Sequence, residues 1–195
     1  MKTAIFGGTF DPIHLAHLTM AREAMNRFGL SRVLFVPAAH PPHKASSTYA
    51  DYEDRFRMVD LACQGEPRFE PSRLEAGEGR SYTIRTIEKV RTGLGPEDEL
   101  YFLIGADAFD EIQTWHRWKD VMAQVEFIVG TRPGHRYTAP PGAKVHRLDS
   151  LALPVSSSEL RGRLAQSESP EQIPGSVLRY IRERGLYREN GGDRR

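Results

Sequence analysis

Apolar residues fall along the chain in two recurring patterns, short continuous runs and helically spaced stripes. Thr3-Ala4-Ile5-Phe6 is a run with strand character that ends in Gly7-Gly8. Leu18, Ala21, Met25 and Phe28 then share one helical face, and Gly29 closes that helix. Arg32 to Val36 is a second run, stopped by Pro37. Strand, helix and strand in that order predict a βαβ unit with parallel strands and a right-handed crossover. His40-Pro41-Pro42-His43-Lys44 follows as a loop, because adjacent prolines remove backbone donors. Tyr52, Phe56, Val59 and Cys63 repeat at helical spacing, so Cys63 reads as a small core hydrophobe. A short strand is expected within Phe69 to Leu74. A helix is expected over Thr83 to Arg91, with Ile84, Ile87 and Val90 inward and Gly93 at its end.

Leu100 to Ile104 has the character of a fully buried strand and runs into Gly105-Ala106-Asp107. Val125 to Val129 is similar and ends at Gly130. Residues 132–143 form a Pro- and Gly-rich loop, and Lys144 to Arg147 a last short strand. Ser156 with Glu159 has the spacing of a capping box. Pro174 opens a final helix closed by Gly185, with Val177, Leu178 and Ile181 read as core. The C-terminal helical part spans about 156–187, and 188–195 reads as a flexible tail. Strands alternating with helices predict an α/β fold, a doubly wound Rossmann-like parallel sheet. Ligands of such sheets bind outside the carboxyl ends of the strands. The strand-end loops are therefore where chemistry is sought.

Composition narrows the function classes. A chain of 195 residues can bury a sizeable core without covalent staples. One cysteine excludes an internal disulfide and a multi-cysteine metal site. The 27 basic and 26 acidic residues leave a net charge of +1, which argues against a polynucleotide partner but not against a local anion pocket. No targeting segment is visible, because the first apolar run stops at Gly7, and nothing approaches a membrane span. A cytoplasmic protein without a membrane partner is expected.

The loop Gly7-Gly8-Thr9-Phe10-Asp11-Pro12-Ile13-His14-Leu15-Ala16-His17 joins the first strand to the first helix. Its adjacent glycines permit close backbone approach to a ligand, and the helix N-terminus favours an anion. His14 and His17 share one helical face and can donate to phosphate oxygens. The same pair could instead be exposed corner residues or two ligands of a metal. The latter lacks the Glu of H-E-x-x-H and an obvious third ligand, so no metal-ligating residues are assigned.

As a composite, the loop resembles the G-T/S-F-D-P-x-H/T-x-G-H signature of the nucleotidyltransferase superfamily of adenylyl- and cytidylyltransferases. Its departure is Ala16, where Gly is usual. Val36-Pro37-Ala38-Ala39-His40-Pro41-Pro42-His43-Lys44 is similar to a segment of bacterial nicotinate mononucleotide adenylyltransferases. Ser81-Tyr82-Thr83, Ile104-Gly105-Ala106-Asp107, Thr114-Trp115 and Arg132-Pro133-Gly134 occur in that family's order. Ser156-Ser157-Ser158-Glu159-Leu160-Arg161 resembles its S-S-T-x-x-R helix start, with Ser158 in place of Thr. Gly185-Leu186-Tyr187 matches its ending. The resemblance implies a single nucleotidyltransferase domain over 1–187.

It also implies a reaction: ATP and nicotinate mononucleotide giving nicotinate adenine dinucleotide and pyrophosphate. His14, His17, Lys44 and Arg161 are then the catalytic candidates. Gly7, Gly8, Thr9, Phe10, Gly105, Asp107, Ser156, Ser157 and Ser158 are candidates for holding ATP. Asp107 could instead serve as a helix N-cap. Of Trp115 and Trp118, one is expected in the core and the other as a stacking platform, and the resemblance makes Trp115 the platform. Tyr82, Thr83, His116 and Arg132 join it as mononucleotide-binding candidates. Arg163 is expected to be solvated. Magnesium is the implied cofactor, carried mainly by the ATP phosphates. ATP and nicotinate mononucleotide are the implied partners, and homo-oligomerisation is left open. The rival readings are a related adenylyltransferase acting on nicotinamide mononucleotide or pantetheine phosphate, and a non-catalytic nucleotide-binding regulator.

Overall fold

The computed structural model describes residues 1–40, 49–77, 79–131, 136–149 and 155–188. Strands β1 (Lys2–Gly8), β2 (Arg32–Pro37), β3 (Phe69–Pro71), β4 (Glu99–Gly105), β5 (Glu126–Thr131) and β6 (Val145–Asp149) form one sheet in the order β3-β2-β1-β4-β5-β6. Every pairing is parallel. Helices are α1 (Leu15–Phe28), α2 (Tyr52–Cys63), α3 (Thr83–Thr92), α4 (Ala106–Asp110), α5 (Trp118–Gln124), α6 (Ser157–Ala165) and α7 (Gly175–Arg184), with a 3₁₀ turn at Ile112–Thr114.

Strand side chains alternate between faces, so one run feeds two cores. Ala4, Phe6, Val33, Phe35, Tyr101 and Leu103 face a layer holding Ala21 and Met25 of α1, Met58 and Val59 of α2 and Val177 and Ile181 of α7. Ile5, Leu34, Phe102, Ile104 and Phe127 face the opposite layer, with Ile84 and Ile87 of α3 and Val121 of α5. Gly29 ends α1 in the left-handed conformation at φ 65°, and its N–H donates to Met25 O. Cys63 is buried in the first core, where burial raises its thiol to about 12, so it behaves as a hydrophobe.

Two expectations are corrected and one alternative is removed. Trp118 is half-buried rather than core, because its indole opens a seven-residue helix whose one buried residue is Val121. Arg163 is not simply solvated: Nε donates to Glu168 Oε2 at 2.7 Å and Nη1 to Gln172 Oε1 at 3.0 Å. Asp107 is not the N-cap of α4. Gly105 holds that position and Asp107 lies in the first turn.

The strand order reverses direction between β1 and β4. Both neighbours of β1 begin helical crossovers on opposite faces, which opens a crevice at their carboxyl ends. Gly7-Gly8 and Ile104-Gly105 border that crevice.

Candidate functional site

The loop after β1 is held from beneath. Phe10 takes the left-handed backbone at φ 50° and drops its ring into the core, 2% exposed. That ring decides Gly8: a Cβ there would stand 3.0 Å from Phe10 Cζ. Gly8 is thus glycine for its own loop's packing as well as for ligand access. The Phe10 side chain packs inward, so only its backbone is left to line the loop's outer side.

Asp11 is 3% exposed and serves the scaffold. Its carboxylate accepts from Tyr49 N at 2.9 Å, from Ala50 N at 3.2 Å and from Tyr187 Oη at 2.6 Å. Arg55 is wholly buried in α2 and ties the same region together. It donates to the carbonyls of Thr9 (2.8 Å), Ala38 (2.7 Å), Ala39 (3.3 Å) and Ala50 (3.2 Å). Sequence reasoning missed Arg55. The available signal was its place on the Tyr52–Val59 apolar stripe, where a solvated arginine does not belong.

His14 is the N-cap of α1, and the rings of His14 and His17 stack at 3.7 Å. The backbone N–H of His14 donates to His17 Nδ1 at 3.2 Å. An Nδ1 that accepts is unprotonated, so the ring proton of His17 sits on Nε2. The rings of Phe6 and Phe10 meet His17 edge-on at 5.8 and 5.1 Å. Burial lowers the His14 imidazole to about 4, and burial plus its neighbour hold His17 well below the usual histidine range. Both rings are neutral at pH 7 without ligand. His14 Nδ1 is buried with no hydrogen-bond partner.

The N-terminus of α6 docks against this loop. Ser156 Oγ accepts from Glu159 N at 3.2 Å and caps the helix. Ser157 Oγ donates to Pro12 O at 3.0 Å. Arg161 donates from Nη1 to Asp11 O at 2.7 Å and from Nη2 to Ser158 Oγ at 3.0 Å. Its guanidinium also lies 4.2 Å from the ring centre of Tyr49, which is 72% exposed. The three serines therefore act first as fasteners, and Arg161 is preorganised beside the loop.

A cavity of about 250 Å³ opens over the β1–β4 crevice. It gathers Gly7, Gly8, Thr9, Tyr82, Thr83, Trp115 and His116 from three separate segments. Trp115 is half-buried, with its indole edge-to-face on Phe102 at 5.9 Å. Tyr82 and His116 pack ring to ring at 4.4 Å. Tyr82 is also the N-cap of α3, so the first N–H groups of that helix, from Thr83 on, lack intrahelical acceptors. Glu75, absent from the sequence-derived candidates, lines the same cavity. Gly105 and exposed Asp107 stand beyond its lining, as do Ser156, Ser157 and Ser158. Lys44 and Arg132 lie outside the described residues. Among the described residues, no group of three or more His, Cys, Asp or Glu could hold a metal ion.

The cytidylyltransferase-like family model matches residues 5–163. A relative from Solibacter usitatus, named a probable nicotinate-nucleotide adenylyltransferase, is 62% identical over 96% of this chain and 100% of its own length. One of the same name from Moorella thermoacetica is 40% identical, covering 96% of this chain and 92% of its own length. In three dimensions the chain is similar to Plasmodium falciparum nicotinic acid mononucleotide adenylyltransferase complexed with NaAD. That match has a TM-score of 0.78 and 21% identity, covering 95% of this chain and 97% of the other. With the signature loop, the switch-point cavity and near-full-length kinship together, the chain belongs to the nicotinate-nucleotide adenylyltransferase family, within the cytidylyltransferase-like group.

Proposed function

We propose that this protein transfers the adenylyl group of ATP to the phosphate of nicotinate mononucleotide. The observation that carries the reading is the junction of two features at one switch point. A neutral, stacked histidine pair tops α1, and a cavity of about 250 Å³ with aromatic walls opens beside the same loop. A mononucleotide phosphate oxygen attacks the α-phosphorus of ATP. The bond from that phosphorus to the bridging oxygen breaks, and pyrophosphate leaves with its electron pair. The nucleophile is already an anion, so no general base or covalent intermediate is needed. The chain's work is positioning and charge stabilisation.

His17 donates from Nε2 to a phosphate oxygen, and the N–H groups of the loop and of α1 add a positive field. His14, stacked on it, offers its own ring to the triphosphate. Arg161 and Lys44 neutralise the β and γ charges, and Gly7, Gly8 and Thr9 line the floor. Ser156, Ser157 and Ser158 support Arg161 and the helix end. Gly105 and Asp107 border the ATP side. Trp115 stacks on the pyridinium, a cationic aromatic ring. Tyr82, His116 and Arg132 flank it. The N–H groups opening α3 at Thr83 suit a carboxylate, whereas an amide would turn its own NH₂ toward donors. Asp11, the carboxylate of the signature loop, has its oxygens engaged by two backbone N–H groups and Tyr187. Magnesium is accordingly assigned to the nucleotide's own phosphate oxygens, where it would screen their charge.

The deciding assay supplies ATP and magnesium with nicotinate mononucleotide, nicotinamide mononucleotide or phosphopantetheine in parallel and measures pyrophosphate. The acid mononucleotide is expected to turn over fastest. Preference for phosphopantetheine, or no turnover of either pyridine nucleotide, overturns the reading.

A further inference from the structure

Glu75 is a buried acid with an unfinished set of partners. It lies between β3 and α3, is 7% exposed and lines the switch-point cavity. One oxygen, Oε1, accepts from Thr86 Oγ1 at 2.6 Å. The other, Oε2, is shut off from solvent and has no hydrogen-bond partner. The nearby cations are otherwise engaged. Arg73 gives two bonds, of 2.7 and 2.8 Å, to Glu53. Arg55 spends its N–H groups on the four carbonyls already described. Among the described residues, no ion pair is made by Glu75. A buried negative charge without a counter-ion is costly, so a wall carrying one selects what enters beside it.

We infer that Glu75 is a specificity-determining residue whose negative charge selects the cationic, oxidised pyridinium form of the mononucleotide over an uncharged ring. This rests on the mononucleotide reading above. The substrate is a zwitterion in its base, with a quaternary ring nitrogen and a carboxylate. The cavity wall is charged in the matching sense. The N-terminus of α3 offers N–H groups and a positive dipole end to the carboxylate, and Glu75 offers a negative charge to the ring. Thr86, one turn into α3, fixes the carboxylate to the same helix. Trp115 recognises the flat face of the ring, while Glu75 recognises its charge. With the Glu75 carboxylate buried in the wall, such a pair is screened less than one between two fully exposed groups.

The test compares nicotinate mononucleotide with its dihydropyridine form, which keeps the carboxylate, ribose and phosphate but lacks the ring charge. KM for each is measured with ATP and magnesium for the wild-type protein and for Glu75→Gln. Gln keeps the shape and can still accept from Thr86, but carries no charge. The wild type is expected to favour the cation at least tenfold. Glu75→Gln is expected to raise KM for the cation, leave the KM for ATP within twofold, and shrink the cation preference at least fivefold. A packing role alone would shift both mononucleotides together. An unchanged preference in a folded Glu75→Gln protein overturns the inference while leaving the adenylyltransferase reading intact. Equal KM values for the two forms in the wild type overturn it without any variant. A wild type that turns over neither form sinks the parent reading and this inference with it.

Discussion

His17 is placed by its neighbours more than by its own chemistry. Phe6 and Phe10 bound its ring, His14 stacks on it, and the His14 N–H fixes its tautomer. Removing a preorganised donor of this kind costs about 10²–10³ in rate. His17→Ala is expected to lose at least tenfold in turnover while its far-UV circular dichroism stays that of the wild type. Full turnover in a pyrophosphate-release assay would remove His17 from the reaction. The same burial has a consequence for stability. The folded His14 titrates near 4 and the unfolded one near 6.5. Between those values the unfolded chain binds a proton that the folded chain refuses. The stabilisation is complete above pH 6.5 and is lost as the pH falls through about 4. For His14 alone this amounts to on the order of 3 kcal/mol, and His17 shifts in the same direction. Urea unfolding at pH 7.0 and pH 4.5 is expected to show a fall of at least 2 kcal/mol. A His14→Gln protein should show a smaller fall, and equal falls in both proteins would contradict this linkage.

At the scale of elements, close contacts between helix and sheet hold the loops in place. A Cβ on Gly130, near the end of β5, would collide with Met20 Sδ and fall 3.1 Å from its Cγ on α1. Gly130→Ala must therefore turn the flexible, half-buried Met20 side chain aside, with a cost of about 0.5–1.5 kcal/mol. Thermal unfolding should show the loss, and a shorter side chain in a Met20→Ala, Gly130→Ala double variant should recover part of it. Additive losses would mean that the clash is not the cause. The same elements show what was legible in the chain. Strands β1, β2, β4 and β5 carry runs of apolar residues, and α1, α2, α3 and α7 carry enough turns for a stripe to repeat. Helices α4 and α5 have five and seven residues, too few for periodicity to separate them from a turn. The signature loop was legible because its residue types, order and spacing are unusual together. Arg55 and Glu75 were not, since a lone charged residue reads as solvated until burial and partners are known.

At the scale of the whole molecule, the two ends of the chain meet at the signature loop. Arg161 and Ser157 of α6 bond the carbonyls of Asp11 and Pro12, and Leu15 N donates to Gln172 O at 2.7 Å. Tyr180 and Arg184 of α7 hold Asp54 of α2. Tyr187 closes the set by donating to Asp11 Oδ1 at 2.6 Å, and burial beside that carboxylate pushes its phenol far up, so it remains a donor. The C-terminal helices thus brace the loop proposed to hold ATP, and we expect the described chain to unfold as one unit. A hydrogen bond to a buried charge contributes about 1.5–3 kcal/mol. Tyr187→Phe removes the hydroxyl with little change of shape and should cost about 2 kcal/mol in urea unfolding. It should also raise the KM for ATP more than that for the mononucleotide, because Asp11 lies on the loop and not in the Trp115 cavity. Tryptophan fluorescence reports Trp115 and Trp118, between β4 and β5, and circular dichroism reports all the helices. If the ends are coupled as one unit, both signals keep a single coincident transition at the lower midpoint. A loss of helical signal that precedes the tryptophan change would instead show that α6 and α7 detach alone.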